Sequence, residues 1–186
     1  MAKLTYLALT SLDGFIEDAD GGFEWAEPSD EVHAFVNDLA RPVSTQLYGR
    51  RMYETMIFWE TDPDEGAFRG PSADFATIWR AADKIVYSTT WAGPVPTRRT
   101  IVEPAFDPGA VRRIKGSATG DLMIGGAGIA AEAFRAELVD ECHLFLAPVT
   151  VGGGKRAMPD FRVDLALLDE RRFADGTIYL WYRVAR

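Results

Sequence analysis

The chain has 186 residues, 47% of them hydrophobic and 26% charged. This composition excludes disordered, collagenous and coiled-coil architectures, and the length fits one domain, residues 1–186, able to bury roughly 70% of its unfolded surface without a staple. Twenty Lys and Arg against 28 Asp and Glu leave a net charge of −8, which repels phosphate backbones and disfavours nucleic acid as a partner. The lone Cys142 excludes an intramolecular disulfide, and with only His33 and His143 beside it no metal site is expected. No apolar run approaches the ~18 residues of a membrane span. Thr10, Ser11 and Asp13 break the N-terminal apolar run before a signal-peptide core is complete, so a cytoplasmic protein is expected.

Along the chain, short apolar runs alternate with amphipathic stretches, the pattern of a parallel sheet with covering helices. Leu4–Leu9 reads as a strand buried on both faces, followed by a long loop over Asp13–Pro28. Ser29 or Asp30 caps a helix with Val32, Phe35, Val36 and Leu39 on its apolar face. A strand over Thr45–Tyr48 ends at Gly49, and a second helix starts at Arg50. Phe75, Ile78, Trp79 and Ala82 repeat the helical spacing before a strand over Lys84–Ser88. A strand near Thr100–Val102 precedes a helix capped by Asp107 with Pro108 at its first position. Asp121–Ile124 is a strand that runs into Gly125-Gly126-Ala127-Gly128. The helix behind that turn carries Ile129, Ala133, Phe134 and Leu138, and Cys142–Leu146 is a further strand. Asp175-Gly176 between two apolar segments predicts a C-terminal hairpin.

The sharpest chemical signal is the glycine turn at 125–128. Glycines let backbone approach a ligand, and the free N–H groups of a first helical turn attract an anion such as a diphosphate. The bland alternative is a tight turn that only packs helix on strand. Gly126-x-Gly128-x-x-Ala131 has Rossmann spacing, but it does not open the first βαβ unit and lacks the acidic residue at the end of the next strand. Gly152-Gly153-Gly154-Lys155 reads as a mobile surface loop, or as a substrate loop with Lys155 and Arg156 on a phosphate. Asp30 is explained by helix capping, and His33 and His143 by structural or surface roles.

Taken in order, these motifs resemble the dihydrofolate reductase-like superfamily, and within it the stand-alone relatives of the reductase domain of riboflavin-biosynthesis deaminase-reductases. The carriers are Ser11-Leu12-Asp13-Gly14, Leu47-Tyr-Gly-Arg-Arg-Met-Tyr-Glu54, Ile124-Gly-Gly-Ala-Gly128, and Val139–Val149 followed by Gly152-Gly-Gly-Lys155. The resemblance covers nearly the whole chain. It implies a three-layer α/β/α fold with a mostly parallel central sheet and an antiparallel C-terminal hairpin strand. It also implies NADPH as cofactor, a pyrimidine- or pteridine-like heterocycle as substrate, and a homodimer. The pyrophosphate would map to Gly125, Gly126, Ala127, Gly128 and Ile129, and to Gly49, Arg50, Arg51 and Met52. The adenosine 2′-phosphate would map to Ser88 and Thr89, with Leu9 and Ile16 flanking the nicotinamide. Trp25-Ala-Glu-Pro-Ser-Asp30 reproduces the segment that carries the dihydrofolate reductase carboxylate, which makes a partly buried Asp30 the catalytic candidate and Asp13 the second.

The chain also departs from its relatives. Alanine stands at Ala82, where an arginine for the folate glutamate is expected, with Arg80 only nearby. Met52-Tyr53-Glu54 replaces the threonine and Asp-Asn-Pro of the riboflavin-type enzymes, and no deaminase metal motif is present. The leading expectation is a reductase of the riboflavin-pathway pyrimidine. Dihydrofolate reduction, or nucleotide binding without turnover, are the alternatives.

Overall fold

The computed structural model describes residues 2–62 and 68–185. Its core is an eight-stranded sheet in the order β5-β4-β3-β6-β1-β7-β10-β9. The strands are β1 (Leu4–Ser11), β3 (Val43–Gly49), β4 (Asp83–Tyr87), β5 (Thr100–Glu103), β6 (Asp121–Gly125), β7 (Glu141–Ala147), β9 (Leu165–Arg172) and β10 (Ile178–Val184). The six from β5 to β7 run parallel, and β10 is antiparallel to both β7 and β9. A separate ribbon pairs β2 (Phe15–Glu17) with β8 (Lys155–Arg156). The expected α/β/α layering with an antiparallel hairpin edge is therefore present.

Alternation along each strand divides the core in two, because successive side chains point to opposite sheet faces. Tyr6, Leu47, Ile85 and Ile124 pack under α5 (Pro108–Ser117) and α6 (Ala127–Arg135) with Val111, Ala130 and Phe134. Their neighbours Leu7, Tyr48, Val86 and Met123 face the other layer. That layer holds α1 (Asp30–Ala40), α2 (Arg50–Met56), α3 (Phe58–Thr61) and α4 (Gly70–Ala81). Val32 and Val36 pin α1 onto Phe145 and Tyr179, as the spacing predicted, and Trp79 of α4 lies fully buried against Tyr48. Each such side chain contributes on the order of 1.5–3 kcal/mol of burial.

The caps follow the sequence closely. Ser29, not Asp30, is the N-cap of α1, its hydroxyl accepting from Val32 N–H. Asp107 accepts from Gly109 N–H at 2.8 Å, with Pro108 in the first turn. Leu138 lies beyond the end of α6 but is buried in the same cluster. Two buried polar groups repay attention. Lys84 is 1% exposed, and its Nζ donates to the Trp79 and Ala82 carbonyls at 3.1 and 3.0 Å, closing the end of α4. Burial pushes its pKa down to about 8. His143 shares a 2.5 Å hydrogen bond with the Tyr179 hydroxyl and stacks between Tyr179 and Trp181. Burial pushes its pKa down to about 4, so at neutral pH it is an uncharged core residue.

Candidate functional site

In an open parallel sheet, ligands bind beyond the carboxyl ends of the strands, where the chain order reverses. Here β6 sits between β1 and β3, so Gly49 and Gly125 end adjacent strands, with Tyr48 and Gly125 in register. Helix α2 starts from Gly49 and α6 from Gly126, the residue after Gly125, into opposite layers. Gly126, the N-cap of α6, has φ +98°, a backbone that L side chains rarely adopt, and a Cβ there would fall 3.2 Å from Met52 Cβ. The first bond of α6 runs from Ala130 N–H to the Gly126 carbonyl at 3.0 Å. The N–H groups of Ala127, Gly128 and Ile129 therefore have no intrahelical acceptor and stand as anion donors. Ile129 faces Gly49, across a gap in which a Cβ on Gly49 would sit 3.8 Å from Ile129 Cβ. The two glycine turns singled out from the sequence thus face each other at the carboxyl ends of β3 and β6.

The cationic side of this edge is Arg50. Its guanidinium donates to Glu54 at 2.7 Å and to the Thr90 hydroxyl at 2.8 Å, which holds it beside the turn after β4. Ser88 and Thr89 lie in that turn, and Thr90 N–H donates to Ser88 Oγ at 3.2 Å. Thr90 was missed in the sequence, since only a tertiary contact across 40 residues ties it to Arg50. Arg51 is largely exposed, its guanidinium 3.7 Å from the Glu17 carboxylate. Leu9 packs against the α1 cluster and Ile16 against the α6 cluster, so they flank the end of β1 from both sides.

Asp13 lies in the turn after β1 and braces the next loop. Its carboxylate accepts from Val151 and Gly152 N–H at 3.2 and 2.8 Å. Hydrogen bonds from the Ser11 hydroxyl and these amides hold its carboxyl below the usual range. The glycine loop runs over the surface, with Gly152 and Gly154 exposed, but its end is anchored: Lys155 and Arg156 form β8 against β2, and Gly154 at φ +127° lies where a Cβ would run into the Glu17 carbonyl. Arg156 lies over the Phe15 ring, so neither cation is held at a phosphate turn.

Asp30 opens α1 and is exposed, whereas the sequence suggested partial burial. Packing explains the difference: Val32 and Val36 turn inward, which leaves Asp30 and Glu31 outside. The segment before α1 lines a cavity of about 190 Å³, with Trp25 and Glu27 facing Leu9, Phe145 and Asp175, and Asp30 itself is not part of its lining. Trp25 Nε1 is buried there with no hydrogen-bond partner among the described residues. Asp175 of the hairpin turn is held below the usual carboxylate range, first by a hydrogen bond from Ser29. The cavity and Asp175 escaped sequence reasoning because the C-terminal hairpin meets α1 only in three dimensions.

The family profile described as the RibD C-terminal domain matches residues 2–179. The chain belongs to the RibD C-terminal domain family. It is 26% identical over 182 residues to the uncharacterized protein YyaP of Bacillus subtilis, covering 95% of this chain and 91% of that protein. Among solved structures, a pyrimidine reductase-like protein from Corynebacterium diphtheriae superposes with a TM-score of 0.71 at 13% identity, over 100% of this chain and 92% of that one. Dihydrofolate reductase from Enterococcus faecalis, complexed with NADP(H) and RAB-propyl, gives 0.66 at 14% identity, over 99% and 97%. At these identities the two structures establish the shared fold. Among the described residues, no helix is long and apolar enough to cross a membrane, and no group of three or more His, Cys, Asp or Glu could hold a metal.

Proposed function

We propose that this RibD C-terminal domain is an NADPH-dependent reductase of a pyrimidine- or pteridine-like heterocycle, with 5-amino-6-(5-phosphoribosylamino)uracil the first substrate to try. The observation that carries the reading is the facing pair of glycine turns at Gly49 and Gly125–Gly128, with Arg50 held at the end of β4. Gly126 tests the fit directly: its left-handed backbone and its closeness to Met52 leave no room for a side chain where a pyrophosphate would approach. Ala127, Gly128 and Ile129 would donate backbone N–H groups to the pyrophosphate, and Arg50, Ser88, Thr89 and Thr90 would meet the 2′-phosphate. A bound NADPH supplies a hydride; the protein supplies orientation and water exclusion. Leu9 and Ile16 would wall the nicotinamide on both sides. Asp30, solvent-facing at the start of α1, would accept hydrogen bonds from the heterocycle's ring nitrogen and amino group, and could pass a proton from solvent to the nitrogen beside the reduced carbon.

Support for a reductase comes from the family and from the shared fold with a dihydrofolate reductase that binds NADP(H). Folate itself is disfavoured. Ala82, which stands where the resemblance leads one to expect an arginine for the folate glutamate, is buried at the end of α4, and the nearby Arg80 is engaged, its Nε donating to the Trp59 carbonyl at 2.8 Å. The test is loss of NADPH absorbance on adding the phosphoribosylaminouracil or dihydrofolate. Turnover of the uracil alone is expected. Turnover of neither, with NADPH bound, would favour nucleotide binding without catalysis.

A further inference from the structure

Two polar groups of the cavity before α1 take no part in the cofactor site or in the candidate chemistry of Asp30. The cavity's volume, about 190 Å³, is small beside the ~300–1,000 Å³ of drug-sized sites, which suits a single ring. Leu9, Val32 and Phe145 give it apolar walls. Trp25 lines it as well, and the indole Nε1 is buried without a hydrogen-bond partner among the described residues. A buried donor left unpaired is costly, and an acceptor on a ligand would remove that cost. Glu27 and Asp175 are the charged residues of the lining, and no Lys, Arg or His belongs to it. Such a cavity offers an N–H to a carbonyl oxygen and a carboxylate to amino or ring N–H groups, while it repels phosphate.

The two acids differ in what holds them. Asp175 is engaged by its own turn: its Oδ1 accepts from Thr177 N–H at 2.8 Å, and Ser29 donates to it from the cap of α1. Glu31 fastens that turn to α1, accepting from Arg171 at 2.9 Å and from Ala174 N–H at 3.2 Å. The Glu27 side chain has no hydrogen bond or ion pair among the described residues, although its backbone is fixed. Glu27 N–H donates to the Glu24 carbonyl at 3.1 Å, and Pro28 keeps the residue before it out of helical backbone, here at φ −59° and ψ 119°. One fixed segment thus brings a donor and a free charged acceptor, two residues apart, to the same cavity.

We propose that this cavity takes the ring of the heterocycle, with Trp25 Nε1 donating to a ring carbonyl and the Glu27 carboxylate accepting from an amino or N–H group on the same ring. Glu27 is then a specificity-determining residue, selecting amino-substituted pyrimidinones over rings that lack the amino donor. A site built to hydrogen-bond an N–H rejects the analogue without it, because its own polar group is left unpaired. Asp30, outside this lining, meets the edge of the ring that stays outside the cavity, and a phosphorylated substituent stays there too. The identity of the ring rests on the reductase reading; the donor and acceptor of the cavity do not.

Calorimetric titration of the full chain with 5,6-diaminouracil and with uracil tests this without turnover. The wild type is expected to bind the diamino ring at least ~10-fold more tightly. Glu27→Ala should erase most of that preference, and Glu27→Gln, which keeps an acceptor but no charge, should retain part of it. Both variants should melt with the wild type and bind NADPH as it does, since Glu27 is exposed and is no part of the glycine turns. Trp25→Phe should weaken both ligands alike, because both carry the carbonyls. A wild type that binds neither ring, or a preference that survives Glu27→Ala, overturns the inference. In either case NADPH oxidation with the phosphoribosylaminouracil still decides the reductase reading by itself. A protein that oxidises NADPH with no heterocycle, yet loses its preference in Glu27→Ala, sinks that reading and keeps the cavity assignment.

Discussion

Replacing Gly126 by alanine confronts the two features of that turn at once. An alanine held at φ +98° carries strain of roughly 1–3 kcal/mol. Its Cβ would also meet Met52 Cβ at 3.2 Å, an atom close to the backbone of α2, which cannot swing aside as a flexible side-chain end can. Relieving that contact shifts the start of α2 by a few tenths of an ångström, at a cost of about 1 kcal/mol as in other overpacked sites. The sum is ~2–4 kcal/mol, or a fall in Tm of roughly 4–16 °C for a domain of this size. Because α2 and α6 move apart where the pyrophosphate is to be held, NADPH affinity should drop at least ~10-fold. Gly128→Ala is the control. Nothing lies within 4 Å of its Cβ, so the added helix propensity should leave Tm unchanged or raise it. Calorimetry without cofactor, followed by NADPH fluorescence titration, separates the two effects. If Gly126→Ala melts with the wild type, or if Gly128→Ala loses as much stability, the strained-turn account of this site is wrong.

Asp30→Asn removes a first-turn charge from α1, not its cap, so stability should fall by only ~0.3–1 kcal/mol; turnover should fall ~10²-fold while NADPH affinity holds, as paired titration and steady-state kinetics will show. Lys84→Met tests the buried ammonium. With a folded pKa of about 8 against 10.5 when unfolded, the unfolded wild type holds more protons between those values, so wild-type stability rises with pH across that window. Urea denaturation at both ends should show the wild type gaining on the order of 3 kcal/mol relative to Lys84→Met, and parallel profiles would contradict the buried charge. Asp13→Ala frees the Val151 and Gly152 amides, so hydrogen exchange should accelerate at Gly152 while the sheet stays protected. In the wild type the same brace, present above the ordinary carboxylate pKa, is lost as pH falls through Asp13's lowered value.

Much of this fold was legible because its signals are local. Asp107-Pro108 marked a helix start, Asp175-Gly176 a hairpin, and the nearly continuous apolar run Leu4–Leu9 a strand covered on both sides. The two glycine turns were legible as local geometry too, since a strand, a glycine turn and a helix N-terminus adjoin in sequence. What was not legible depends on distant segments meeting. The partnership of Arg50 with Thr90, the seat of Asp175 beside Ser29, and the close approach of Gly154 to the Glu17 backbone all join elements that local pattern cannot pair. Asp30 shows the limit most clearly. Its place in the chain marks it as a candidate, but only the inward turn of Val32 reveals that its carboxylate faces solvent.

The central claim is that this edge of the sheet is built for a dinucleotide bearing a 2′-phosphate. Titration of the purified protein with NADPH and with NADH, by calorimetry and in parallel on Arg50→Ala, tests it most directly. NADPH should bind at least ~10-fold more tightly than NADH, and Arg50→Ala should erase most of that preference, since a charge-assisted contact to phosphate is worth ~1.5–3 kcal/mol. Equal affinity for the two nucleotides in the wild type, or no binding of either, would contradict it.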